Sequence, residues 1–211
     1  TQGVRIDAAH DQVLVDGQPV QCASQKVYVL LHKPIGYVST AFDPQGRPTV
    51  LELLPPNLQA LRVYPVGRLD IDTSGLLILT NDGDFALHMT HPRYSMEKHY
   101  HVLVKGYPMP QTLDMLRQGV MISEDDGKKH RTSPALVQIM HRAAGENCWL
   151  MLTIHEGRKR QVRRMMAAVG HTVVRLVRAG IGPIGIGDLP VGGWRMLSES
   201  EVKMLIEGTR V

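Results

Sequence analysis

The organisation of this chain follows from the stretch Gly67-Arg68-Leu69-Asp70-Ile71-Asp72-Thr73-Ser74-Gly75, which runs directly into Leu76-Leu77-Ile78-Leu79-Thr80. The short apolar run from 76 to 80 predicts a strand that is buried on both of its faces. The polar loop before it carries Asp70, and a loop held by a rigid strand is a favourable position for a reactive side chain. We therefore take Asp70 as a candidate nucleophile or general base. The alternative is a structural Asp, because Asp also favours turns.

Composition sets wide bounds on the function. The chain has 211 residues, of which 43% are hydrophobic and only 5% aromatic, so an aliphatic core of one or two domains is expected. A net charge of +4 does not by itself indicate nucleic-acid binding. Cys22 and Cys148 form no CxxC pattern, which favours a reducing compartment, and we expect the cytoplasm. No apolar run approaches the roughly 20 residues that a membrane span needs.

Strands and helices alternate along the chain without a regular repeat. The predicted strands outside the opening stretch are 27–31, 37–40, 99–104, 135–141, 149–155 and 172–177. The predicted helices are 84–90, 111–117, 159–169 and a final helix through Ile206, with helical turns at 49–54. Ser198 and Glu201 form the capping box of that final helix. The pattern predicts an α+β fold with a central mixed, largely antiparallel sheet flanked by helices.

The first 26 residues differ from the rest. Val4–Asp7 and Val13–Gly17 indicate short strands, and so small a segment cannot bury a core of its own. We interpret residues 1–26 as the end of another domain, or as a linker, and residues 27–211 as the main domain.

A basic segment lies at the start of the predicted helix 159–169. Arg158, Lys159, Arg160, Arg163 and Arg164 fill five of seven consecutive positions. Helical spacing places the last three of these on one face, which suits phosphate groups. An ordinary solvated face is the alternative, but cations at a helix start oppose the helix dipole and so indicate an anionic partner.

Tyr100 alternates with His99 and His101 on the predicted strand 99–104, so it points to the opposite face of the sheet. A tyrosine that faces a basic groove can stack on a nucleobase, although a half-buried core tyrosine fits the same pattern. His88 and His91 complete no recognised metal-ligand spacing with acidic or cysteine residues. We expect no metal and no cofactor, because nucleotide-binding glycine motifs are also missing in the required context.

Taken together, four ordered stretches resemble the RsuA/RluB-type pseudouridine synthases. They are His32-Lys33-Pro34-Ile35-Gly36, the 67–77 stretch quoted above, Glu97-Lys98-His99-Tyr100, and Glu156 to Met165. The tail Gly193-Trp194-Arg195 fits as well, and the resemblance covers residues 27–206. The family asparagine before Lys-Pro is His32 here, outside the catalytic motifs.

The resemblance implies roles for particular residues. Asp70 is the expected catalytic aspartate, Tyr100 the active-site tyrosine and Arg163 the partner of the aspartate. Arg68 is expected to contact RNA near the flipped nucleotide, together with the basic residues Arg158, Lys159, Arg160 and Arg164. The first 26 residues resemble the end of a small RNA-binding S4 domain.

The implied reaction converts a uridine of ribosomal RNA into pseudouridine, by a cytoplasmic monomer that needs no cofactor. The stretch 43–50 resembles the RluB branch, so we favour a large-subunit target over a small-subunit one. A non-catalytic RNA-binding or ribosome-assembly module remains the second hypothesis, and a metal hydrolase the third.

Overall fold

The computed structural model describes residue 11, residues 13–19 and residues 25–208. The predicted strand Val4–Asp7 and Cys22 lie outside these residues. Of the first segment, the structure contains a two-stranded hairpin, β1 (Leu14–Val15) and β2 (Gln18–Pro19), joined by Asp16 and Gly17. Both turn residues have positive φ angles, 51° and 77°, as a tight two-residue hairpin requires.

The remaining strands form one large mixed sheet and one small hairpin. Their bounds are β3 (Tyr28–Lys33), β4 (Tyr64–Val66), β5 (Ser74–Thr80), β6 (Lys98–Lys105), β7 (Met121–Ser123), β8 (Lys129–Arg131), β9 (Leu136–Ala143), β10 (Asn147–Ile154), β11 (Val173–Ile181), β12 (Ile184–Gly185) and β13 (Trp194–Met196). The nine-stranded sheet has the order β13-β3-β5-β11-β6-β10-β9, with β4 paired to β5 and β12 to β11, while β7 pairs with β8 alone.

Strand β5 lies inside this sheet, between β3 and β11. All seven of its residues are buried, as the apolar run predicts. The pairing of β5 with β11 is parallel and the other pairings in the sheet are antiparallel. The predicted α+β class with a mixed, largely antiparallel sheet is therefore confirmed.

Helices cover both faces of the sheet. They are α1 (Pro56–Gln59), α2 (Gly83–Thr90), α3 (Pro110–Gln118), α4 (Gln161–Ala168) and α5 (Glu199–Glu207), with 3-10 turns at Val50–Leu53 and Pro92–Tyr94. One core cluster joins Leu77 and Tyr100 to Leu116 of α3 and Met165 of α4. A second cluster joins Leu76 and Ile78 to Phe85 and Met89 of α2 and Leu205 of α5. Successive side chains of β5 thus enter different cores, as the alternation of a strand dictates.

Two local predictions are wrong. The segment 37–40 forms no strand, because after Gly36 (φ 90°) the chain makes only an isolated bridge between Val38 and Thr49. The helix expected at 159–169 begins at Gln161, because Arg160 adopts a left-handed conformation with φ 52° and ψ 30°. The residues before Gln161 are therefore a loop that leads into α4.

The capping box at the last helix is confirmed. The Ser198 hydroxyl accepts a hydrogen bond from the Glu201 amide, and the Glu201 carboxylate accepts one from the Ser198 amide. Glu201 also binds Arg195 of β13 through two hydrogen bonds of 2.8 and 2.7 Å. This contact fixes α5 to the edge strand of the sheet.

Candidate active site

The loop that carries Asp70 connects β4 to β5. The Asp70 carbonyl accepts a 3.0 Å hydrogen bond from the Thr73 amide, which closes a turn over residues 70–73. The Ile71 carbonyl accepts a 2.8 Å bond from the Gly36 amide, so the loop is also tied to the end of β3. Asp70 is partly exposed, and among the described residues its carboxylate has no hydrogen bond or ion pair.

The Lys33 side chain stabilises this loop through hydrogen bonds. The side chain is fully buried, and its ammonium group donates to the carbonyls of Asp70 at 3.1 Å and Thr73 at 2.8 Å. A third bond of 3.0 Å goes to the Pro34 carbonyl. Burial lowers the pKa of Lys33 to about 8, although the charges of Asp70 and Asp72 oppose this effect. A buried ammonium with three carbonyl acceptors gives the catalytic loop a rigid base.

Asp72, rather than Asp70, is the ion-pair partner of the basic helix. Its carboxylate lies 2.9 Å from Arg160 and 3.3 Å from Arg163, and Arg163 also donates to the Asp72 carbonyl at 2.8 Å. Burial raises the pKa of Asp72, but the hydrogen bond from Arg160 and the charges of Arg163 and Arg160 outweigh it, so the pKa is lowered. The expected pairing of Arg163 with Asp70 is therefore corrected, since no ion pair joins them in the described part of the chain.

Tyr100 lies on β6 and is 7% exposed. It faces the core that contains α4, while His99 contacts Thr153 and the Gly182 carbonyl on other elements. The cross-strand neighbour of Tyr100 on β11 is Arg178, which in turn pairs with Gly75 of β5. One strand, β11, therefore separates Tyr100 from β5, the strand that follows the Asp70 loop.

The basic segment divides between two partners. Arg160 and Arg163 contact Asp72, as described above. The others contact a hairpin, because Arg158 lies 2.5 Å from Glu124 and Lys159 lies 2.6 Å from Asp125, which also pairs with Arg164. Arg160, Arg163 and Arg164 therefore do not act as one cationic face, contrary to the spacing argument. Arg68 is exposed on the loop of Asp70.

The acidic hairpin β7–β8 was not predicted from the sequence. Its short strands expose most of their side chains, and only Ile122 of β7 is buried, at 2% exposure. So weak a periodicity does not separate a strand from a loop. The three acidic residues 124–126 at its turn were the available signal, because they complement the basic segment 158–164.

Lys33, Asp72 and Arg178 were also missed as functional residues. Lys33 and Asp72 belong to quoted motifs, but only the folded chain brings them to the same loop. Arg178 is 3% exposed and forms no ion pair with a carboxylate in the described residues. A basic residue in an otherwise apolar strand was the signal that could have identified it.

The described residues contain no group of three or more His, Cys, Asp or Glu side chains that could hold a metal ion. His88, one of the histidines that the sequence analysis considered as a metal ligand, places its ring 4.0 Å from that of Tyr94. Over the same residues, no helix is both long and apolar enough to cross a membrane.

Comparisons with known proteins agree on one family. Residues 27–168 match the family model described as RNA pseudouridylate synthase. The chain is 41% identical over 204 residues to "Ribosomal large subunit pseudouridine synthase B" of Bacillus subtilis (strain 168), covering 96% of this chain and 80% of that protein. It is 38% identical over 198 residues to "Ribosomal small subunit pseudouridine synthase A" of Escherichia coli (strain K12), covering 93% and 81%.

The fold is shared with a solved structure described as "Crystal structure of pseudouridylate synthase". The TM-score is 0.77 at 30% sequence identity, covering 97% of this chain and 84% of the other. The residues that match the family model, 27–168, include the Asp70 loop, Tyr100 and the basic helix α4.

Proposed function

The chain belongs to the RNA pseudouridylate synthase family, and on this premise we propose that it isomerises a uridine of large-subunit ribosomal RNA with Asp70 as its catalytic carboxylate. The observation that carries the proposal is the position of Asp70. It is partly exposed on a loop that Lys33 holds rigid, close enough to Arg160 for their charges to interact, and its carboxylate has no partner in the described part of the chain. Such a carboxylate is free to meet a substrate atom.

The reaction rearranges the bonds of one nucleotide. The C1′–N1 bond breaks, C1′ joins C5 of the same base, C5 loses its proton and N1 gains one, so no atom is added or removed. The base must leave the helical stack to be reached. Asp70 attacks C1′ or assists the departure of the base, and Tyr100 supports the base while it turns and helps to remove the C5 proton.

Arg163 supports this chemistry through Asp72. The ion pairs of Asp72 with Arg160 and Arg163 connect α4 to the loop two residues beyond Asp70. Charge-assisted bonds of this kind fix geometry more firmly than neutral ones. We assign Arg163 to positioning the loop, and Arg68 and Arg160 to the RNA backbone near the target nucleotide.

Arg158, Lys159 and Arg164 are proposed to bind phosphates farther from the base. Their side chains are 41%, 71% and 17% exposed, so RNA can reach the first two without a change of the core. Phosphate contacts of this type fix the register of the RNA and carry no base specificity. We further propose that the protein acts as a cytoplasmic monomer.

The large-subunit target is supported by two observations. The Bacillus subtilis relative named for the large subunit is slightly more similar than the Escherichia coli relative named for the small subunit. The stretch 43–50 also resembles the RluB branch, and in the structure Arg47 binds Asp43 at 2.7 Å within it. The end of this stretch is linked to the residue before Asp70. The Val38 amide donates to the Pro48 carbonyl at 2.9 Å, and the adjacent Ser39 hydroxyl donates to the Leu69 carbonyl at 3.0 Å.

The test uses ribosomal RNA transcripts that carry tritium at C5 of uridine. Wild-type protein is expected to release tritium from large-subunit RNA, whereas Asp70→Asn releases none and binds the same RNA within about threefold of wild type. Tritium release from small-subunit RNA alone contradicts the proposed large-subunit target. Tight RNA binding with no release from any transcript supports the non-catalytic module instead.

A further inference from the structure

A row of cross-strand neighbours passes through the sheet beneath the Asp70 loop. Lys33 of β3 pairs with Gly75 of β5, Gly75 with Arg178 of β11, and Arg178 with Tyr100 of β6. Gly75 has no side chain, and a Cβ added there would lie 2.3 Å from the Arg178 carbonyl oxygen. The two strands therefore approach closely at this point, with Arg178 between the loop strand and Tyr100.

Arg178 is a buried cation without a balancing carboxylate. Its Nε donates a 2.7 Å hydrogen bond to the Leu76 carbonyl, and its Nη2 is buried without a hydrogen-bond partner. A buried donor left unpaired destabilises the folded protein, and more so when the group is charged. A residue kept at this cost calls for a functional explanation.

Tyr100 and Arg178 lie directly opposite each other on neighbouring antiparallel strands, so their side chains extend from the same face of the sheet as neighbours. Burial lowers the pKa of Arg178, and the neighbouring Tyr100 hydroxyl opposes this effect. Arginine has donors and no acceptor, so the phenol oxygen can only accept from it. The phenol proton must then point away from Arg178. The contact therefore decides which way Tyr100 can donate a hydrogen bond.

We propose that Arg178 is a positioning residue for the isomerisation, which holds the Tyr100 oxygen and directs the phenol proton toward the uracil. This inference rests on the proposed function of the site.

The experiment compares Arg178→Met and Arg178→Lys with Arg175→Met, which removes a charge from an exposed position of the same strand. Single-turnover tritium release is measured with RNA fully bound. Arg178→Met is expected to lower the rate about a hundredfold with RNA affinity within about threefold, and Arg178→Lys to restore part of it. Arg175→Met is expected to leave the bound-state rate unchanged, because Arg175 is exposed and lies outside the proposed site.

Two readouts separate positioning from a general structural role. In the Tyr100→Phe background, Arg178→Met is expected to lower the residual rate by less than about threefold, because the oxygen it holds is absent. The NMR signal of the Tyr100 ring carbon that bears the hydroxyl is expected to shift in both Arg178 variants and not in Arg175→Met. Equal losses in the two backgrounds, or an unchanged signal, overturn the proposal.

The NMR measurement needs no turnover. If wild-type protein isomerises no ribosomal RNA, the proposed function fails, while the Tyr100 signal still decides whether Arg178 holds the hydroxyl. If Arg178→Met does not fold, Arg178→Lys gives the same comparison, because its shorter side chain loses the geometry and keeps the charge.

Discussion

At the scale of single residues, the loop contains two carboxylates with different surroundings. Asp70 has no partner among the described residues, whereas Asp72 binds Arg160 and Arg163. An unpaired carboxylate suits chemistry, and a paired one suits the fixing of a loop. Arg163 therefore contacts Asp72, two residues after Asp70, and not the aspartate that the sequence motif assigned to it.

This difference predicts opposite behaviour for two isosteric variants. Asp72→Asn is expected to lower the bound-state rate about tenfold and to reduce stability by up to about 1 kcal/mol, because a partly exposed ion pair is lost. Asp70→Asn is expected to keep wild-type stability and to remove turnover. Tritium release and chemical unfolding measure the two effects, and an Asp72→Asn protein with full activity contradicts the assignment.

Gly75 gives a second prediction at the same scale. Its φ of 121° and the 2.3 Å separation between an added Cβ and the Arg178 carbonyl oxygen leave no room for alanine. Gly75→Ala is expected to cost about 3 kcal/mol or more, since it combines backbone strain with overpacking. Gly36→Ala is the control, because φ is 90° there and nothing lies within 4 Å of the added atom. Its cost is expected to be about 1 kcal/mol in urea unfolding, and similar costs at the two sites refute the steric argument.

At the scale of elements, the sequence indicates structure where burial dominates. Strand β5 was predicted because both of its faces are covered, and strand β6 because its polar and apolar residues alternate. The start of α4 was not predicted, because nothing in the local sequence reveals the left-handed Arg160. In that conformation Arg160 binds Asp72, which lies 88 residues away in the chain.

In the candidate site, too, local patterns can be predicted from the sequence and contacts between distant residues cannot. The motifs select Asp70, Tyr100 and the basic segment as candidates through their combined order and resemblance to one family, although each motif alone also fits a structural role. The motifs do not identify which acid binds which arginine, since that depends on how α4 and the β7–β8 hairpin dock. Long-range pairing of exposed charges has no periodic signature in the sequence.

The acidic turn of the β7–β8 hairpin is expected to compete with RNA for the basic segment. Asp125→Asn frees Lys159 and Arg164, so RNA affinity should rise severalfold at low salt. Asp126→Asn removes the same charge from the same turn, but Asp126 pairs with Lys128 at 2.8 Å. It is expected to have a clearly smaller effect in filter-binding titrations. Equal gains for both variants mean that only net charge matters.

At the scale of the whole molecule, the sheet separates the core next to the proposed active site from a second core. One core contains Met165, and the Asp70 loop, Tyr100 and α4 all contribute side chains to it. The other core contains Leu205 and is formed with α2 and α5. Stability can therefore be altered on the α5 side without a change at the site. Arg195 and Glu201 offer the test, because their ion pair joins α5 to β13.

The pH dependence of stability follows from that ion pair. The hydrogen bond from Arg195 lowers the pKa of Glu201 from 4.5 to about 2. Between these values the unfolded chain binds more protons, so the contribution of Glu201 is complete above pH 4.5 and is lost as the pH falls toward 2. Glu201→Gln keeps a capping side chain and loses the charge, so its deficit should be about 1–2 kcal/mol at neutral pH and should vanish near pH 2.

Glu207→Gln is the matched control on the same helix. Glu207 lies 3.7 Å from Lys203, and the two side chains are 64% and 72% exposed, so solvent screens the pair. This variant is expected to remain within about 0.5 kcal/mol of wild type across the pH range. Both variants should keep the bound-state rate of tritium release at neutral pH, because α5 packs in a different core cluster from Tyr100 and α4. A Glu201→Gln protein with normal stability but reduced turnover would show instead that the two faces are coupled through β5.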